Sequence, residues 1–145
     1  MHQTAIHRRL PRAGIDPIDD AATAFAMLSL AVHHPLRHET IVVLLDDARR
    51  GRSIVVVSGT VEPDSVVEVV ELLTGSPSCD EIGGIVVATV RPDPASSPAN
   101  TDADIDRWLE MSHIAADAGV ELLEWFVIDG TVSCPRDRLG EPPRW

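Results

Sequence analysis

The chain has 145 residues, 44% of them hydrophobic, and carries a net charge of −11. That length fits one domain, and the apolar content supports a packed core, which excludes a largely disordered chain. Residues 15–134 hold 21 acidic residues against six arginines, and so acidic a body argues against nucleic acid as a partner.

Residues 1–15 read as a flexible arm, basic at Arg8, Arg9 and Arg12. Asp16-Pro17 is a helix-start signal, with Asp as cap and Pro at the first helical position. Ile18, Ala21, Ala22, Phe25, Leu28 and Val32 then recur at helical spacing, and Pro35 ends the run. Residues 39–46 (ETIVVLLD) and 53–59 (SIVVVSG) read as strands joined by a polar turn, hence an antiparallel hairpin. Pro63 and Asp64 open the next element, and Gly75 with Pro77 closes it. There Val66, Val69, Val70 and Leu73 fit a helix face, although valine favours strands by propensity. Residues 83–90 (GGIVVATV) form an apolar run expected at the centre of a sheet. A loop with three prolines follows over 91–102. Thr101 and Asp104 have capping-box spacing for a helix whose face is Ile105, Trp108, Leu109, Ser112 and Ala116, ended by Gly119. Residues 120–128 form a strand, Asp129-Gly130 a two-residue hairpin turn, and 131–134 the return strand. Residues 135–145 read as a Pro/Arg-rich surface tail.

The expected domain is residues 16–134, of α/β class, in the order α-β-β-α-β-α-β-β. This order predicts a mixed, twisted sheet with helices on both sides. The apolar runs are far shorter than the roughly 20 residues a membrane helix needs, and no apolar stretch directly follows the basic arm as in a secretory signal. The expectation is a cytoplasmic protein that does not enter membranes. Cys79 and Cys134 match no metal or redox spacing and read as free thiols packed as small apolar groups. All 12 basic residues besides histidine are arginines, which excludes a lysine nucleophile or Schiff base.

Residues 87–130 resemble the metal-binding half of the RadC family, a branch of the JAMM (also MPN or JAB) domains. In that family a central strand runs into His-x-His-Pro, seven residues separate the second His from a Ser, and two more lead to an Asp. Here Ala88-Thr89-Val90-Arg91-Pro92 occupies the His-x-His-Pro stretch, Ala99 falls at the Ser position and Asp102 falls on the Asp. Pro98 matches as well, and Glu124-Trp125 stands where members tend to have Asp-His. The family's catalytic Glu opens an earlier strand, the place of Glu39. The likeness spans about residues 20–134 and implies a cytidine-deaminase-like architecture.

The same resemblance implies a degenerate site at Glu39, Thr89, Arg91, Ala99 and Asp102. A catalytic zinc takes three protein ligands and a water. Thr89 offers a neutral hydroxyl, Ala99 removes an oxyanion donor, and Arg91 puts a fixed cation where a dication would sit. The expectation is therefore no metal and no cofactor, with Arg91 forking between Glu39 and Asp102 in a binding triad. Each residue also has a plainer role: Asp102 as a helix-start carboxylate, Glu39 as a solvated strand end, Thr89 as a strand former, Arg91 as a surface cation. His33, His34, His38 and His113 follow no familiar ligand spacing and read as structural or surface residues. Asp102, Asp104 and Asp106 lack the glycine and closing Glu of a calcium loop and read as a helix start.

No phosphate loop and no nucleophile elbow is present in the sequence. The expected function is a non-catalytic RadC/JAMM-like binding or assembly module for a protein or peptide, with homodimerisation as a further expectation. A metal-dependent hydrolase with an altered site is the alternative. An accessory role in DNA repair follows from the family analogy alone.

Overall fold

The protein, seen in a computed structural model, is described over residues 10–76, 81–93 and 102–145. Its elements are α1 (Ala21–Ala31), β1 (Glu39–Leu45), β2 (Gly51–Ser58), α2 (Ser65–Thr74), β3 (Gly84–Val90), α3 (Asp102–Asp117), β4 (Glu121–Ile128), β5 (Val132–Ser133) and α4 (Pro135–Leu139). The strands form one mixed sheet in the order β2-β1-β3-β4-β5. The β1–β2 hairpin is antiparallel, β1 also pairs antiparallel with β3, and β3 runs parallel to β4 with α3 as the crossover. The most uniformly apolar run, β3, lies in the middle and is buried along its whole length, as a strand covered on both faces must be.

Alternation along the strands sends side chains to two cores. On one face Val42, Ile85, Val87, Leu122, Trp125 and Val127 pack against Val66 and Val70 of α2 and Trp108 and Met111 of α3. On the other, Ile41, Val43, Val86, Ala88, Leu123 and Phe126 pack against Ile18 and against Ala24 and Leu28 of α1. The period of two in the strands and of 3.6 in the helices makes both cores from one chain. β4 carries a register shift: Leu122 lies opposite Ile85, but Glu124 lies opposite Val86, so Leu123 is an extra residue.

The predicted α2 is a helix despite its valines. Val66, Val67, Val69 and Val70 all face the core, and burial outweighs their modest helix penalty. The first helix starts later than Asp16-Pro17 suggests. Its cap is Asp20, whose carboxylate accepts from the Thr23 N–H at 2.7 Å. Asp16 instead accepts from the backbone and side chain of Arg12 at 2.9 Å. Pro17 bridges Arg50, and the Ile18 N–H donates to the Arg49 carbonyl, which lays residues 17 and 18 beside the hairpin turn. The described end of the N-terminal arm is therefore tied down, with the Gly14 N–H on the Gly51 carbonyl.

The C-terminal residues also differ from a surface tail. Arg136 in α4 donates to buried Glu124 at 2.9 Å. Arg144 lies 4.3 Å from the Trp108 ring centre and donates to the Leu122 carbonyl at 2.9 Å. Glu141 accepts from the Trp108 indole N–H at 3.2 Å. Arginines that read as solubilising in sequence here cap aromatic and carboxylate groups of the core edge. Cys134 packs against the α1-side core as a free thiol pushed up to about 12 by burial, with Glu124 adding to the effect. Cys79 lies outside the described residues. Among the described residues no helix is long and apolar enough to cross a membrane.

The β1–β2 turn is held by Asp46, which accepts from the N–H groups of Ala48 and Arg50 at 2.9 Å and from the Arg50 side chain at 3.0 Å. This turn packs directly on Gly83. A Cβ there would lie 2.8 Å from the Asp47 Cα and 3.0 Å from its N, so the backbone itself is in the way. Gly83→Ala is expected to lower the unfolding free energy by about 1–3 kcal/mol in urea titration, the typical cost of overpacking.

Candidate functional site

The C-terminal ends of parallel strands, where the chain leaves for a helix, are the usual place for ligands in open α/β sheets. Here that end is built from the start of β1, the end of β3, the end of β4 and the first turn of α3. Glu39 pairs with Val90 and Thr40 with Thr89, while the Arg91 N–H donates to the Ile128 carbonyl at 2.7 Å. The five positions that the sequence singles out thus share one region of the fold, except that Ala99 and the proline-loop residues 94–101 lie outside the described residues.

The register then separates them. Glu39 has the parity of Ile41 and Val43 and faces α1. Arg91 has the parity of Val87 and Thr89 and faces α3. A guanidinium on one face of a sheet does not reach a carboxylate on the other, and the expected triad is corrected accordingly. Neither Glu39 nor Asp102 is an ion-pair partner of Arg91.

The partner is Asp104. Arg91 donates from both terminal nitrogens to both Asp104 oxygens at 2.8 Å, a fork with relative exposures of 3% and 0%. Arg107, one turn on, donates to the same carboxylate at 2.8 Å and to Asp64 at the start of α2 at 2.8 Å. Burial would raise the Asp104 carboxyl, but the hydrogen bonds and charges of Arg91 and Arg107 outweigh it and hold it below the ordinary carboxylate range. Asp102, two residues away, points outward: its side chain is 95% exposed and lies 3.6 Å from Arg138. On a helix, two residues apart is about half a turn, which explains why one aspartate enters the core and the other leaves it.

Thr89 is buried and its hydroxyl accepts from the Trp125 indole N–H at 2.8 Å. Glu39 is fully buried, not a solvated strand end. One of its oxygens accepts from the His33 backbone N–H at 2.9 Å, and the other meets His33 Nδ1 at 2.8 Å and Arg37 Nε at 3.3 Å. Arg37 also reaches His33 Nε2 at 3.0 Å and donates to the Ser58 hydroxyl at 3.1 Å. Burial would raise Glu39, but the His33 N–H, the His33 ring and Arg37 more than offset it. Of the four histidines singled out in sequence, His33 therefore has a structural partner. His113 lies 3.4 Å from Asp117 on the exposed face of α3. Among the described residues no three His, Cys, Asp or Glu side chains gather as metal ligands.

Two buried carboxylates escaped the sequence reading. Asp104 reads as a helix-cap residue, and Glu124 reads as one half of a family signature. Glu124 lies on the α1 face because of the extra residue in β4, and Arg136 holds it there. Burial keeps the Glu124 carboxyl above its ordinary range even against Arg136. The available signal for both was an acidic residue within an otherwise apolar periodic face, with an arginine elsewhere to match it.

A surface groove of about 720 Å³ lies at the opposite end of the strands, between Asp47, Arg49, Gly83, His113, Glu121 and Arg144. Its arginines are already engaged: Arg49 with Glu121 at 2.6 Å, Arg144 with Glu141 and Ser112. Compared with protein-family models and with curated proteins, the chain finds no match.

Arg91→Ala leaves a buried carboxylate short of its main partner and is expected to cost about 3–5 kcal/mol in equilibrium unfolding. The paired change Arg91→Met with Asp104→Leu is expected to recover most of that loss. Because Asp104 and Glu39 ionise more readily folded than unfolded, their contribution is present above the ordinary carboxylate pKa of about 4 and is lost as pH falls through their lower folded values. Unfolding free energy should therefore drop on acidification from about pH 5 to pH 2, less steeply in the Arg91→Met/Asp104→Leu variant. Protonation of Glu124 acts with the opposite sign and moderates the slope.

Proposed function

We propose that the chain is a non-catalytic relative of the RadC/JAMM domains that works as a binding or assembly module for a protein or peptide in the cytoplasm. The observation that carries the reading is the buried Arg91–Asp104 fork at the end of the central strand. The resemblance puts metal ligands at Thr89, Arg91 and Asp102, and the residues present do not fit a zinc ion. Thr89 spends its acceptor on Trp125, Asp102 lies out in solvent, and Arg91 offers no lone pair and a permanent positive charge. A dication beside that guanidinium would have to displace its hydrogen-bonded carboxylate, at the cost of leaving a buried cation alone.

The position of the general base supports the same reading. Glu39 is enclosed by His33 and Arg37 and faces α1, so its oxygens are committed away from the face that holds Thr89 and Arg91. A buried carboxylate held by three protein donors is a structural anchor, not a free proton acceptor for water. The mixed sheet with helices on both faces agrees with the coarse architecture that the resemblance implies.

Protein purified without a metal-affinity tag should contain far less than one zinc per chain by elemental analysis. Added zinc should leave its melting temperature unchanged within about 1 °C, since a ligand that does not bind the native state cannot stabilise it. Stoichiometric zinc, or a rise of several degrees on adding it, would overturn the reading and favour a hydrolase with an altered site.

A further inference from the structure

β2 is one edge of the sheet: β1 lies on its inner side, and among the described residues no strand lies on the other, where the N-terminal arm reaches only its first residue through the Gly14 N–H on the Gly51 carbonyl. An uncovered edge presents a row of unpaired N–H and C=O groups, and natural proteins blunt such edges with lysine, proline, inward charges or bulges. Residues 53–58 carry none of these and pair with β1 in unbroken register; the one bulge of the hairpin pairing falls before them, at Arg52. Ile54 and Val56, on the face that α1 covers elsewhere, remain 41% and 38% exposed. The opposite edge, β5, is only two residues long.

Charge decides what fits this edge. The chain carries −11 overall, so most of its surface repels a second copy of itself, yet residues 53–61 contain no charged residue. Arg52 stands immediately before that neutral stretch and Glu62 immediately after it. Two copies laid antiparallel about an axis near Val55 bring Arg52 of each toward the end from which the other's Glu62 departs, and the apolar residues meet in between. Parallel pairing would set arginine beside arginine. Arg52 reaches Glu81 of its own chain at 2.8 Å, but both are exposed, so exchange of partner costs little.

We propose that the protein forms a two-fold dimer by antiparallel β2–β2 pairing, which joins the two five-stranded sheets into one of ten strands. The contact is isologous and consumes the long edge of both copies, leaving only the two-residue β5 edges, so assembly stops at two. This does not rest on the reading of the degenerate site, which lies on other strands' ends and face.

The test is sedimentation equilibrium of the full chain from about 1 to several hundred micromolar, the range in which a contact of this size associates measurably. A reversible shift from 15.7 kDa to twice that mass is expected. Ile54→Lys with Val56→Lys should give a folded monomer, judged by unchanged circular dichroism. Arg52→Glu should weaken dimerisation about fivefold at low salt, and Arg52→Glu with Glu62→Arg should restore it. The charge swap is confined to exposed positions, so its outcome does not depend on whether the lysine variant folds. A monomer at every concentration, open-ended oligomers, a dimer indifferent to the lysine pair, or a swap that fails to restore Arg52→Glu each overturns the proposal.

Discussion

The rest of the structure depends on the fork between Arg91 and Asp104. It joins the end of the central strand to the first turn of α3, and through Arg107 it continues to Asp64 at the start of α2. Removing two charges from water is expensive, and only a bidentate geometry with further hydrogen bonds recovers the cost. Asp104 meets that condition with three donors from two arginines. The pair gives little net stability over an apolar substitute, but it fixes one arrangement of strand and helix, because no sliding of α3 along the sheet keeps both hydrogen bonds. Specificity of packing, more than energy, is what a buried ion pair contributes here.

The second constraint is the two-sidedness of the sheet. Glu39 and Arg91 come from neighbouring strands and lie near each other along the sheet, yet they serve different cores. Glu39 organises the segment between α1 and β1 through His33 and Arg37, while Arg91 organises the α3 side. A region that a metal would unify is divided into two separate electrostatic knots, each internally satisfied. The division also explains why an acidic chain tolerates so many buried carboxylates: Glu39, Asp104 and Glu124 each have a dedicated arginine, and all three arginines belong to different elements or loops.

Much of this was legible in the residues. The strands were readable from apolar runs bounded by turns, the hairpin from its short polar connection, and α2 from valine spacing that only a helix turns to one side. The site was legible as a place but not as a set of contacts. Sequence spacing put Asp102 at a family position, yet helix phase delivers Asp104 to the core instead, in step with Trp108, Met111 and Ala115. Asp16-Pro17 satisfied the local rule for a helix start, but burying Ile18 beside the hairpin turn prevailed. The C-terminal residues looked solvated because three arginines and three prolines follow Cys134. What they contact, the Trp108 ring and Glu124, is remote in sequence and therefore invisible to a local reading.

The additional residue in β4 has a further consequence. Up to Leu122 the strand keeps step with β3, and after Leu123 it is out of phase by one. That shift is what turns the Trp125 indole toward Thr89 and sets Glu124 opposite it, within range of Arg136. The same strand paired without that extra residue would turn its side chains to the wrong faces, with the Glu124 carboxylate opposite Val87 in the aromatic core and the Trp125 indole under α1. Superposition on a strand that lacks the extra residue therefore has to open a gap at Leu123 before residues beyond it are equated, or every downstream assignment of inside and outside is inverted.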